Sequence, residues 1–296
     1  MNFCLRECNK TYSDVKSEMN TIRIHIDIIR MCDNYCKYCY ARHDLSEWGL
    51  VMSNQYIDDV LIPKLESLSR SGKHLDIVLL GGEPTLHPRF CDLLSILSKF
   101  SRISITSNGN CGYCEYENSE KIRWAFTYHP SQHQEGWIEQ IVERKDDFWE
   151  VAVSPLIDCT GNVELFSRRV YDLIQICHSE GIKVQPTFQF DPSVYPTHID
   201  MRDVLKYYSY LADEFPIYTY FGKNINDYNI LKEKMNYIKG CLCINNNVQL
   251  SVKGILRRCC SNEILCWNDL PNLDSEMICP LPECTCYGFL SLHKSV

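Results

Sequence analysis

No run of apolar residues in this 296-residue chain is long enough to span a membrane. The first twenty residues carry Arg6, Glu7, Lys10 and Asp14 where a secretory signal would be apolar. Neither insertion nor signal-directed export is expected, and the protein is expected in the cytoplasm. A long Lys/Arg tract is also missing. The formal charge of -8 is spread along the sequence, which leaves a nucleic-acid backbone no electrostatic footprint. Internal repeats and low-complexity segments are absent too. The 45% hydrophobic content is ample for a buried core, arranged as one large barrel or two smaller domains.

Cysteine is abundant. Eighteen would suggest disulfides in a small secreted protein, but a chain of this length needs no such staples, and clustered thiols in a reducing compartment more often bind metal. Cys32, Cys36 and Cys39 stand near the start, and eight more crowd the tail between Cys241 and Cys286. Composition alone admits zinc as well as iron.

Thr21 to Ile29 alternates polar and apolar residues like a strand and runs directly into the first three cysteines. Tyr56 to Leu68 has helical spacing, and Leu75 to Leu80 is a short apolar strand that stops at Gly81-Gly82. Further helices are predicted at Phe90 to Phe100, Trp137 to Arg144, Val163 to Ser179 and Met201 to Glu214. Further strands are predicted at Arg102 to Thr106, Arg123 to Tyr128, Trp149 to Leu156 and Lys183 to Phe190. Strands alternating with helices imply parallel pairing through crossovers, and six such units predict an α/β fold, a partial (β/α)6 TIM-like barrel. Its chemistry belongs at the strand C-terminal ends. The composition turns cysteine-rich near residue 237, which divides the chain into an N-terminal tail at 1–20, a barrel at 21–236 and a small C-terminal extension at 237–296.

Each chemical motif follows a predicted strand. Cys32, Cys36 and Cys39 form C-x3-C-x2-C, three thiolates in one loop suited to three corners of an iron-sulfur cubane, with the fourth iron open to a small chelating ligand. A zinc loop completed by a distant ligand is the alternative. Gly81-Gly82-Glu83-Pro84 follows the second strand, where glycines let the backbone approach a ligand and a carboxylate suits an ammonium. Thr106-Ser107-Asn108-Gly109 follows the third strand and supplies hydroxyls and an amide, or makes a plain Asn-Gly turn. Cys111 and Cys114 form C-x2-C just beyond it, a candidate ligand pair, redox pair or hydrogen-atom donor, with Cys114 the candidate catalytic residue and a loop with two inert thiols the alternative. His129 ends the fourth strand as a candidate catalytic residue.

The cysteine spacing, followed one helix and one strand later by Gly81 to Pro84, resembles the radical S-adenosylmethionine (radical SAM) superfamily over roughly residues 21 to 190. The resemblance implies a [4Fe-4S] cluster on Cys32, Cys36 and Cys39 that binds S-adenosylmethionine (SAM). One electron then cleaves SAM to methionine and a 5'-deoxyadenosyl radical, which takes hydrogen from a substrate carbon. It further implies that Tyr38 packs near the adenine and that Gly81, Gly82, Glu83 and Pro84 meet the amino group of the methionine moiety. Thr106, Ser107 and Asn108 are implied to lie near the cofactor, and His129 near ribose or substrate. A flavodoxin or ferredoxin is the implied electron donor.

The tail, with a predicted hairpin at Asn247 to Arg257, is similar to the Twitch or SPASM extensions of that superfamily. These bind auxiliary [4Fe-4S] clusters, and one is expected here on ligands drawn from Cys241, Cys259, Cys279, Cys284 and Cys286. Cys243 and Cys260 are alternatives to their neighbours, and a structural zinc is the alternative metal. The expected reaction is oxidative modification or epimerisation of a ribosomal peptide, with a small-metabolite substrate as the alternative. A non-catalytic iron-sulfur or zinc protein is the rival of another class, against which Gly81 to Pro84 and the strand-helix units speak.

Overall fold

Ile22, Ile24, Ile26 and Ile28 are buried along one face of the first strand, β1 (Thr21–Ile29), while Arg23, His25 and Asp27 take the other. The computed structural model describes residues 21–36, 39, 46–110, 119–129, 132, 136–158, 168–184, 187–189, 242–244, 247–258, 264–272, 276–278 and 293–294. After the cysteine loop the chain returns along the end of β1 through hydrogen bonds from Arg30 N to Leu50 O and Met52 N to Ile28 O. Ser53 then caps a helical turn at Asn54–Tyr56. A π-helical segment, Ile57–Leu61, leads into α1 (Ile62–Arg70), and Leu61, Leu65 and Leu68 turn one stripe of this run to the core.

The alternation continues with β2 (His74–Gly81), α2 (Phe90–Leu97), β3 (Arg102–Ser107), β4 (Ile122–Tyr128), α3 (Trp137–Arg144) and β5 (Glu150–Asp158). It ends with α4 (Arg168–Ser179), β6 (Lys183–Val184) and β7 (Thr187–Gln189). The strand predicted at Lys183 to Phe190 is thus divided in two, both pieces pairing parallel with β5. The helix predicted at Met201 to Glu214 lies outside the described residues. From β1 to β6 every neighbouring pair is parallel, as a strand-helix alternation requires. No pairing among the described strands closes the sheet into a full barrel.

Large apolar side chains fill the helix-covered face, with Trp124 stacked on Phe126 and set edge-on against Phe148. Cys177 is fully buried there, as its helical position suggests. Cys91 packs partly buried against the same core and is also engaged in a disulfide. The opposite face carries smaller or polar residues: His25 opposite Val78, Thr106 opposite Ala125, and Thr127 opposite Ser154.

The tail hairpin consists of β9 (Asn247–Leu250) and β10 (Leu256–Arg258), which follow β8 (Leu242–Ile244) and precede β11 (Ile264–Leu265). β9 pairs parallel with β1, so the strand order runs β11-β10-β9-β1-β2-β3-β4-β5-β6 in a ten-stranded sheet, with β7 beside β5. Val248, Leu250, Leu256 and Leu265 join the same hydrophobic cluster as β1. Gly254, at φ +77°, lets the hairpin turn close on the Tyr56 ring, whose hydroxyl donates to Gly254 O at 3.2 Å. A smaller sheet places β8 between β12 (Glu276–Ile278) and β13 (His293–Lys294).

Ion pairs tie the strands together at the sheet end opposite the cysteines. Arg23 bonds its cross-strand partner Asp76 at 2.6 Å, and Arg123 bonds its partner Glu150 at 2.5 Å. Lys183 reaches the second oxygen of Glu150. Burial alone would raise the Glu150 carboxyl, but the bonds from Lys183 and Arg123 outweigh it and hold it below the usual range. A depressed carboxyl stabilises the fold above its unfolded value, near ~4.3, and that contribution is lost as pH falls through the lower folded value. Glu150→Gln should therefore cost about 2 kcal/mol at neutral pH. Urea denaturation of wild type and variant should show the difference shrinking below pH ~4.3. A gap that stays constant into acid would refute the ionic origin.

Candidate functional site

The cysteine loop leaves β1 and is held against the end of β2 by backbone. Gly82 N donates to Ile29 O at 2.8 Å and Glu83 N to Met31 O at 2.7 Å. Side chains have no room at this seam: a Cβ on Gly81, which has φ +146°, would lie 2.1 Å from Ile29 O, and one on Gly82 would lie 2.0 Å from Met31 O. The glycines thus permit a close approach, and the group approached is the strand that carries Cys32. His87 adds a second clamp. Its Nδ1 accepts from Arg89 N at 3.1 Å, which leaves Nε2 as the donor to Met52 O at 3.3 Å, on the return segment.

Glu83 turns inward, with 1% of its surface exposed. Its Oε1 accepts from Thr85 N at 3.1 Å, Thr85 Oγ1 at 2.7 Å and Ser107 Oγ at 2.9 Å, and its Oε2 accepts from Asn108 N at 2.7 Å. Burial pushes its carboxyl up, against the pull of these donors. The side chain joins the end of β2 to the end of β3, and Ser107 and Asn108 spend one polar group each on it. Thr106 Oγ1, in contrast, is buried with no hydrogen-bond partner among the described residues, which leaves it available to a ligand. Pro84 is buried at the start of a 3-10 turn, Pro84–Leu86.

From β3 the contacts reach across to the cysteines. Asn108 Nδ2 bonds Asp33 Oδ1 at 2.6 Å and lies 3.8 Å from Cys32 Sγ. Asn110 Nδ2 bonds Asp33 Oδ2 at 3.1 Å and Asn34 Oδ1 at 2.8 Å. From β4, His129 Nδ1 lies 3.6 Å from Cys36 Sγ, and Gln132 Oε1 accepts from Tyr35 N at 3.5 Å. Trp137 Nε1 donates to Asn108 O at 3.0 Å from beneath. No sequence motif marks Asp33, Asn110, Gln132 or Trp137 as part of the site. The residues between the cysteines, and the polar position after Asn108-Gly109, were the available signals.

Cys32, Cys36, Gly81, Gly82, Glu83, Pro84, Ser107, Asn108 and His129 therefore meet at one end of the sheet, through the contacts above, and Cys39 follows Cys36 in the same loop. Tyr38, Cys111 and Cys114 lie outside the described residues, as do the tail cysteines Cys241, Cys259, Cys260, Cys279, Cys284 and Cys286; Cys243 lies on β8.

Cys32, Cys36 and Cys39 are all free thiols, with Cys36 buried, and Cys39 N bonds Cys36 O at 3.2 Å in a turn. Burial, partly offset by the Asn34 N–H, pushes the Cys32 thiol up to about 12, with Glu83, Asp33 and Cys39 adding to the rise. A bare thiol so placed keeps its proton at neutral pH, and a bound metal centre would remove it. N–H groups aimed at sulfur, from Asn34 at 3.4 Å and Asn108, suit a thiolate that carries charge. Among the described residues no three His, Cys, Asp or Glu side chains converge on a point that would hold a single ion. A cubane takes its thiolates on separate corners, so the donor set fits that group without such convergence. Burial also pushes His129 down to about 4, so its ring is neutral at physiological pH.

A family model described as the radical SAM superfamily matches residues 26–110. Among solved structures, the chain is similar to one described as hexahistidine-tagged anSMEcpe with bound AdoMet, at 16% identity and a TM-score of 0.53, covering 80% of this chain and 71% of that one. It also matches a structure of BtrN in complex with AdoMet and 2-DOIA at 18% identity and a TM-score of 0.35, covering 56% of this chain and 70% of that one. The first likeness is one of fold, and the second is too loose to carry an argument. No curated protein matches.

The backbone seam makes a direct prediction. Gly82→Ala must displace the Met31 carbonyl, at a cost of about 3 kcal/mol. Denaturation of the metal-free chain should register that loss, and iron retained after reconstitution should fall with it. Unchanged stability with full iron retention would show slack that a 2.0 Å approach does not allow.

Proposed function

Because residues 26–110 match the model of the radical SAM superfamily, we propose that this chain is a member of it and that Cys32, Cys36 and Cys39 would hold a [4Fe-4S] cluster able to bind SAM. When held there, such a cluster would supply the electron that splits SAM into methionine and a 5'-deoxyadenosyl radical able to take hydrogen from a substrate carbon. The observation that carries the reading is the packing of the cysteine loop against the ends of β2, β3 and β4 at one end of a parallel sheet, with none of its three cysteines in a disulfide. Strand C-terminal ends are where folds of this kind place their chemistry.

The chain's own residues have three tasks. Gly81 and Gly82 set the cysteine loop by backbone contact, and Glu83 locks the next loop beside it. Thr106 has a buried hydroxyl with no hydrogen-bond partner among the described residues, suited to bonding a ligand. The sheet face turned from the helices, with His25, Thr106, Ala125, Thr127 and Ser154, leaves polar and small side chains for a substrate rather than a packed apolar core.

The substrate we propose is a ribosomal peptide, modified oxidatively or epimerised, with reducing equivalents from a flavodoxin or ferredoxin. The support for a peptide is the cysteine-rich extension at 237–296, proposed to hold one auxiliary [4Fe-4S] cluster on Cys241, Cys259, Cys279, Cys284 or Cys286. Cys114, where it reaches the substrate, would return a hydrogen atom in an epimerisation. No helix among the described residues is long and apolar enough to cross a membrane.

Anaerobic reconstitution with iron and sulfide, reduction, and addition of SAM test the reading. Methionine and 5'-deoxyadenosine are expected from the wild type and from no variant lacking Cys32, Cys36 and Cys39. Iron remaining on that triple alanine variant counts what the tail holds. If the reconstituted wild type releases no 5'-deoxyadenosine, the chain is not this enzyme.

A further inference from the structure

His129 stands at the end of β4 with its Nδ1 3.6 Å from the sulfur of Cys36. The contact does not stand alone. Gln132 N donates to His129 O at 2.9 Å, which folds the chain back, and Gln132 Oε1 then receives the Tyr35 N–H at 3.5 Å. One short turn thus meets two consecutive residues of the cysteine loop. Cys36 is 6% exposed, so the pair is little screened by water.

Chemistry fixes the direction of the bond. A thiolate on iron has no proton and can only accept, so the contact is favourable only with hydrogen on Nδ1. We propose that His129 donates Nδ1–H to the Cys36 thiolate and thereby raises the reduction potential of the cluster. This rests on the cluster assignment made above for Cys32, Cys36 and Cys39. Reduction adds negative charge, part of which resides on the ligand sulfurs, and a donor at sulfur stabilises that charge. Cys32 already receives the Asn34 N–H at 3.4 Å and lies near Asn108 Nδ2. His129 supplies the corresponding donor to Cys36. The residue acts on the reaction through Cys36, as a positioning and tuning group rather than a catalytic one.

His129→Phe removes the donor while keeping a ring, and His129→Asn puts an amide N–H close to where Nδ1 stands. Each reconstituted protein is titrated redox-potentiometrically without SAM, after its iron and sulfide have been counted. The midpoint should shift down in His129→Phe and return toward wild type in His129→Asn. Equal midpoints in wild type and His129→Phe overturn the proposal, as does a His129→Asn protein that behaves like His129→Phe. Should His129→Phe hold no cluster, wild type and His129→Asn decide by pulsed EPR after labelling with 15N-histidine. The reduced cluster should couple to a histidine nitrogen in the wild type and not in His129→Asn, and absence of coupling in the wild type overturns the proposal. A wild type that assembles no cluster on Cys32, Cys36 and Cys39 defeats the proposed function instead, and with it this inference. The difference in iron between wild type and the triple alanine variant of Cys32, Cys36 and Cys39 reports that outcome before any potential is measured.

Discussion

Backbone contact at Gly81 and Gly82 is the constraint on which the rest of the site depends. Two strand ends come together so closely that a single methyl group would lie about 2 Å from a carbonyl oxygen on the other. The segment so held begins with Ile29 and Met31, directly ahead of Cys32. Everything later in the loop inherits its position from that seam. Glu83, next in sequence, carries the constraint onward by accepting from Ser107 and Asn108. The Asn108 side chain then returns to Asp33, between the first two cysteines. The path closes on itself: β1 to β2 by backbone, β2 to β3 by a buried carboxylate, β3 back to the β1 loop by carboxamides.

A buried carboxylate is an unusual choice for such a joint, because its desolvation must be offset by donors. Here the donors include two backbone N–H groups, from Thr85 and Asn108, that belong to turns and lack partners within regular structure. A carboxylate can accept from all of them at once, whereas an amide would present an N–H to other donors. Ion pairs between cross-strand partners sit at the N-terminal end of the sheet, where Arg123 and Glu150 need only hold strands together. Thr106, whose hydroxyl has no hydrogen-bond partner among the described residues, sits toward the other end.

Much of this was legible in the sequence, and the reason is local. Alternation in Thr21 to Ile29, and the breaks at Gly81-Gly82 and Asn108-Gly109, are written within a few residues, so strands and the loops after them could be placed. The direction of Glu83 was not legible. A carboxylate beside two glycines looks equally suited to an external ammonium and to internal donors, and only the proximity of Ser107, 24 residues away, decides where it turns. The partner of the tail hairpin was hidden for the same reason. Nothing in Asn247 to Leu250 names β1 as its neighbour, although the apolar residues Val248 and Leu250 do signal a buried face.

That pairing changes how the extension relates to the barrel. A boundary near residue 237 marks a change in composition, but the described hairpin continues the barrel's sheet and shares its core. Gln249 Nε2 approaches Asp27 Oδ2 at 3.4 Å, and Asp27 pairs with Arg30 at 3.1 Å, two residues before Cys32. Arg30 reaches Glu47, which in turn lies 3.6 Å from Lys253 in the hairpin turn. The base of the cysteine loop therefore rests on a charged network shared with the tail, just as its middle rests on β3 and β4. In the described part of the loop the large apolar side chains of Met31 and Tyr35 are exposed and do little to hold it in place. Its order must come from neighbours on every side, and the chain supplies them from four strand ends and a hairpin more than 200 residues away.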